Sequence, residues 1–134
     1  TIDLLRDRVS NSFTRNKKFL EQYAQDIYII SGGFADIIAP IVADFGVPAD
    51  HVIANTFTYD AGGNITGYDS ENVMSQDKGK VRKIQEFDFK GDVFVIGDGF
   101  TDYEIKEAGL ANKFFAFTEN VKRDTVTSKA DHIV

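Results

Sequence analysis

Val93-Phe94-Val95-Ile96-Gly97-Asp98-Gly99-Phe100-Thr101-Asp102 is the stretch on which the fold turns. Four apolar residues in a row, too few for a helix, read as a strand that is apolar on both faces. That is the habit of a buried strand in a parallel sheet. The run ends where two glycines bracket Asp98, and a helix is expected from Asp102 through Ala108, closed by Gly109. An earlier passage has the same grammar. Ile27-Tyr28-Ile29-Ile30 is a continuous apolar run that ends in Ser31-Gly32-Gly33. Phe34, Ile37, Ile38, Ile41, Val42 and Phe45 then follow at the spacing of an amphipathic helix, stopped by Gly46 and Pro48. Pro40 lies inside that helix and should kink it, or cost it about 3 kcal/mol, unless packing compensates.

The rest of the chain extends the pattern. His51 to Ala54 reads as a strand. Thr56 to Tyr59, a turn over Asp60 to Asn64, and Ile65 to Tyr68 read as a β-hairpin. Lys78 to Phe87 is expected to be a helix with Val81 and Ile84 inward, Phe114 to Phe117 a strand, Val121 to Ser128 a short helix, and His132 to Val134 a last strand. Ile2 to Tyr23 has mostly helical spacing interrupted by basic residues, which predicts one broken helix or two. Strands alternating with helices mean an α/β fold, a parallel sheet flanked by helices. In such sheets ligands gather beyond the carboxyl ends of the strands, where both Ser31 and Asp98 fall.

Composition narrows the function. The chain has 134 residues, 43% hydrophobic and 27% charged, the balance of a single globular domain with a proper core. A net charge of −6 argues against nucleic-acid binding, which needs a surplus of Lys and Arg, and suits a cation cofactor better than a polyanion. With no cysteine there is no disulfide scaffold, thiolate nucleophile or Cys-ligated zinc, which fits a cytoplasmic setting. No apolar run approaches the roughly 18 residues that span a bilayer, so no membrane partner is expected. The start at Thr1 and the stop at Val134 inside an apolar run suggest a piece of a longer chain.

Three motifs carry candidate chemistry, and each has a bland alternative. Ser31-Gly32-Gly33 can bring backbone N–H groups and a hydroxyl to an anion at a helix start; it can equally be a strand-to-helix turn with a Ser cap. Asp98 and Asp102, four apart across a glycine turn, can converge on Mg2+; Asp102 can instead be a helix N-cap. Lys78, at a helix N-terminus, opposes the helix dipole, so neutralising a phosphoryl group would explain it; a solvated surface lysine would not need explaining. Lys80 and Lys83 have no better claim.

The order Ser, then Lys, then paired Asp resembles the phosphatases of the haloacid dehalogenase (HAD) superfamily, and among them most the phosphoserine phosphatases. The matching text is Ile30-Ser31-Gly32-Gly33-Phe34, Ala54-Asn55, Lys78-Gly79-Lys80-Val81, Ile96 through Asp102, Ala108-Gly109-Leu110, and Lys129-Ala130-Asp131-His132-Ile133. The resemblance implies a Rossmann-like HAD core, with residues 1–23 the tail of the cap and its connecting helix and residues 24–134 the C-terminal part of the hydrolase core. It implies that Ser31 and Gly32 bind phosphoryl oxygens and that Lys78 steadies the phosphoryl group. Asp98 would ligate Mg2+ directly, and Asp102 would support the metal site from behind or through water. It carries no role for Gly33, Phe34 or Asn55. The implied parent activity is Mg2+-dependent hydrolysis of a small phosphomonoester, phosphoserine by preference, through a phosphoaspartyl intermediate. A place in serine biosynthesis, and a parent fused to phosphoglycerate dehydrogenase, are further implications.

The chain also departs from the family. HAD phosphatases begin with a strand ending in Asp-x-Asp-x-Thr/Val, whose first Asp attacks phosphorus and whose second protonates the leaving group. No such segment occurs in these 134 residues. The first strand and most of the cap are therefore expected to be missing, the fragment inactive, and the exposed sheet edges open to self-association. Two rivals follow. One is a non-catalytic remnant domain that binds or regulates a partner, distinguished by whether the parent encodes Asp-x-Asp upstream. The other is a receiver-like or flavodoxin-like fold, in which Ser31 and Lys78 would share no role.

Overall fold

The structure is a computed structural model that describes residues 2–134; Thr1, the first residue of the expected 1–23 segment, lies outside them. The chain divides into two compact units, one ending at Asp77 and one spanning Lys78–Val134.

The first unit opens with three short helices, α1 (Ile2–Arg6), α2 (Asn11–Arg15) and α3 (Lys17–Gln22), where one broken helix or two were expected. Strand β1 (Ile29–Phe34) pairs in parallel with β2 (Val52–Asn55), and α4 (Ala35–Val42) crosses between them. β2 is buried along its whole length, and Ala24, Phe45, Val47 and Met74 join it in the core. β1 starts two residues later than the apolar run suggests and continues through Ser31, Gly32, Gly33 and Phe34. These residues are extended rather than a turn, and Phe34 ends the strand instead of opening the helix. Their register against β2 slips between Ile30 and Phe34, so the strand bulges where the small residues sit.

Pro40 does lie inside α4, whose regular turns give way to a tighter 3-10 turn over Ala43–Phe45. Gly46, at φ 82°, then stops the helix as its sequence position foretells. The hairpin is present as antiparallel β3 (Phe57–Tyr59) and β4 (Ile65–Tyr68). It leans on the β1–α4 junction through stacked Phe34 and Phe57 rings, 3.9 Å apart, and a Tyr59 hydroxyl that donates to Asp36 of α4 at 2.8 Å.

The second unit holds α5 (Gly79–Glu86), β5 (Phe94–Gly97), α6 (Phe100–Glu107), β6 (Lys113–Ala116), α7 (Asp124–Thr127) and β7 (His132–Ile133). Its strands form a parallel sheet in the order β5-β6-β7. Phe114 and Ala116 of central β6 are buried with Val126 of α7, and Val95, Tyr103 and Ala130 pack around them. The expectation that β5 is buried on both faces does not hold: Phe94 and Ile96 are 56% and 64% exposed. β5 is the edge of its sheet, and only the face that carries Val95 meets the core. Each unit thus pairs parallel strands with flanking helices, the α/β architecture expected from the sequence. No helix among the described residues is long and apolar enough to cross a membrane.

Candidate functional site

The predicted site residues fall in both units, Ser31 and Gly32 in the first and Lys78, Asp98 and Asp102 in the second.

In the first unit the β1 bulge organises its own polar groups. The Ser31 hydroxyl oxygen accepts the Gly33 N–H at 3.0 Å. With a lone pair so engaged, the hydroxyl proton remains for an outside acceptor. Gly32 is exposed, and a Cβ placed there would meet nothing within 4 Å, so the backbone at this point faces open space. The Gly32 carbonyl is held from behind by the Asn55 side-chain amide, which donates to it at 2.9 Å. Asn55 is the one polar residue among the buried residues described, 9% exposed at the end of β2.

In the second unit the two aspartates sit at the β5–α6 junction in unlike surroundings. Asp98, at the carboxyl end of β5, has a side chain about half exposed. Arg123, which precedes α7, donates from Nη1 to its carbonyl oxygen at 2.9 Å and to Oδ2 at 3.2 Å. Asp102 points inward. Its Oδ2 accepts the Gly99 N–H at 3.1 Å, and its Oδ1 accepts from the Lys80 ammonium at 2.6 Å. Only glycine fits at position 97, because a Cβ there would lie 2.3 Å from Asp102 Oδ2.

Lys78 precedes α5 with φ 56°, the only positive φ outside glycine among the described residues. A side chain in this left-handed region costs roughly 1–2 kcal/mol, and such costs collect at functional positions. Its ammonium pairs with Glu104 of α6, whose side chain is only 11% exposed. The structure thus joins Lys78 to Glu104 rather than to either aspartate, and the lysine that meets Asp102 is Lys80. Sequence reasoning assigned nothing to Lys80, Glu104 or Arg123. Glu104 follows Asp102 by two positions and Lys80 follows Lys78 by two, so the doubled spacing was a usable signal. Arg123 carried none, being 25 residues from its partner.

Asp98 offers Mg2+ the hard carboxylate oxygen it favours, and one or two such ligands suffice when water and phosphate complete the shell. Both oxygens of Asp102 are taken within the unit, which suits a supporting place behind a metal. Among the described residues, no group of three or more His, Asp or Glu side chains is arranged to hold a metal ion. The second unit on its own therefore fits part of a Mg2+ shell.

The family described as haloacid dehalogenase-like hydrolase matches residues 13–105. The chain is 30% identical to the chloroplastic phosphoserine phosphatase of Arabidopsis thaliana, with 99% of this chain and 46% of that protein covered. It is 32% identical to the phosphoserine phosphatase of Drosophila melanogaster over 98% of this chain and 51% of the relative, and 33% identical to the human one over 83% and 50%. The chain thus spans about half the length of these relatives. Among solved structures, a phosphoserine phosphohydrolase-like protein of Francisella tularensis has the same fold, with a TM-score of 0.79, 24% identity, and 99% of this chain and 64% of that one covered. DsGPDH of Dunaliella salina also contains the fold, at a TM-score of 0.65 and 24% identity, over 88% of this chain and 20% of its own.

Proposed function

Since the chain belongs to the haloacid dehalogenase-like hydrolase family and is related to phosphoserine phosphatases, we propose that it is the phosphate- and metal-handling part of a small-molecule phosphomonoesterase. Phosphoserine is the proposed substrate of the whole protein. The observation that carries the proposal is the β5–α6 junction, where Asp98 faces outward while Asp102 is fixed by Lys80 and the Gly99 N–H. A turn that needed only a helix cap would be served by Asp102 on the Gly99 N–H and would not require a second acid, Asp98, at the strand end.

In this reading Ser31 and the Gly32 backbone receive phosphoryl oxygens, the hydroxyl donating its remaining proton. Lys78 neutralises the phosphoryl charge, which is spread over the three equatorial oxygens in the transition state. Asp98 is the residue that would hold Mg2+, with Asp102 steadying the turn behind it. When bound, the ion supplies Lewis-acid neutralisation of phosphoryl oxygens. Transfer in the whole protein would pass through an aspartyl phosphate, for which these 134 residues contain no Asp-x-Asp nucleophile segment. Residues 1–23 are assigned to the tail of a cap and its connecting helix.

The test is an assay of this chain alone with phosphoserine and Mg2+. No phosphate release is expected, and calorimetry should show only weak Mg2+ binding, because a nucleophile carboxylate would be among the ion's ligands. Turnover by pure material that disappears in Asp98→Asn would overturn the expected inactivity of this chain alone, and Mg2+ affinity in the micromolar range would overturn the expected weak binding. A second reading, a non-catalytic domain that binds a partner, is favoured by the cations that already cover both acids, Arg123 on Asp98 and Lys80 on Asp102. It requires that orthophosphate leave the amide resonances of Ser31 and Lys78 unmoved, whereas the phosphatase reading requires shifts at both.

A further inference from the structure

We infer that Asn55 is a positioning residue for the phosphoryl-binding segment Ser31-Gly32-Gly33, an inference that rests on the phosphatase reading above. Asn55 ends β2, opposite Phe34, at the place where the β1 register slips. A slipped strand loses ladder hydrogen bonds, so Ser31 to Gly33 need other partners to hold one shape. Two bonds supply it. The Ser31 hydroxyl closes on the Gly33 N–H at 3.0 Å, and the Asn55 Nδ2 donates to the Gly32 carbonyl at 2.9 Å.

The second bond decides what the segment shows to solvent. A carbonyl drawn back toward β2 cannot turn its partial negative charge toward an approaching anion. Gly32 itself cannot enforce that orientation, since it is exposed and a Cβ there would touch nothing within 4 Å. The restraint has to come from the neighbouring strand, and Asn55 delivers it from a position that is 9% exposed. Packing alone does not explain an amide there. The side chain brings a buried Oδ1 that no group among the described residues satisfies, a burden an apolar residue would avoid. An amide retained despite that cost is being used for its donor.

The experiment uses the chain itself with orthophosphate as the probe, followed by NMR of backbone and side-chain amides. Asn55→Asp keeps the shape and the acceptor oxygen but removes the donor, and its charge repels the Gly32 carbonyl. It is expected to weaken orthophosphate binding about tenfold and to abolish protection of the Gly33 N–H against hydrogen exchange. In the unaltered chain, orthophosphate should shift the Asn55 side-chain NH2 signals together with the Gly32 and Gly33 amides. Unchanged affinity in a folded Asn55→Asp chain would overturn the inference. So would an Asn55 side chain that ignores orthophosphate in the unaltered chain, a measurement that stands even where the variant does not fold. Ser31→Ala separates the two layers of argument. If it leaves orthophosphate binding intact, the phosphatase reading falls; if it weakens binding while Asn55→Asp does not, only the role of Asn55 falls.

Discussion

Position 97 shows how a single missing atom fixes the β5–α6 junction. Gly97→Ala would drive a methyl group into the Asp102 carboxylate, 2.4 Å from its Cγ. Either α6 or the Lys80–Asp102 pair must then move, so a loss of about 1–3 kcal/mol is expected in urea unfolding. Asp131 gives the molecule a dependence on acid. The Phe114 N–H that its carboxylate accepts holds its pKa below the ordinary carboxylate value; partial burial opposes this, and Lys106, Lys113 and His132 act in the same direction as the bond. A carboxyl that is more acidic folded than unfolded adds stability above its unfolded pKa, about 3.9, and loses it as pH falls through the folded value. Asp131→Asn should therefore flatten the decline of stability below about pH 4, read as urea midpoints against pH. At this scale the sequence was legible where position follows spacing: Asp98 does lie at the end of β5 and Asp102 in the first turn of α6. It was silent on Arg123 and on Asn55, whose partners lie 25 and 23 residues away in the chain.

The order and kind of the elements could be read before the structure was known, while their edges could not. Small residues after an apolar run look like a turn, yet β1 carries Ser31, Gly32 and Gly33 in extended form because β2 still pairs with Phe34 beyond them. Apolar residues on both faces look like full burial, yet β5 is an edge. Composition records what a strand can bear, and its neighbours decide how much is covered. The hairpin was plain from its turn residues, but its attachment to α4 was not. There the Asp36 carboxylate holds the Tyr59 phenol above its ordinary pKa, while the phenol's hydrogen bond holds Asp36 below its own. Asp36→Asn should bring the ionisation midpoint of Tyr59 down toward that of an unperturbed phenol. NMR titration of the Tyr59 ring, with Tyr68 for comparison, would show it; an unmoved midpoint would mean that the hairpin does not dwell on α4 in solution.

For the molecule as a whole, folding and chemistry make different demands on the same residues. Domains keep only about 5–15 kcal/mol of net stability, so one awkward backbone angle matters. Lys78 adopts a conformation that glycine enters freely, and its ammonium meets a carboxylate that is largely withdrawn from water. Replacing the lysine alone would strand that acid, so relief needs both changes at once. Lys78→Gly combined with Glu104→Gln should raise unfolding stability by about 1 kcal/mol, measured in urea, while removing the charge that a phosphate ester would meet. A lineage filtered for durability alone would have drifted to that quieter pair. Under the phosphatase reading, the strained lysine is kept for the charge it holds ready for a phosphate ester.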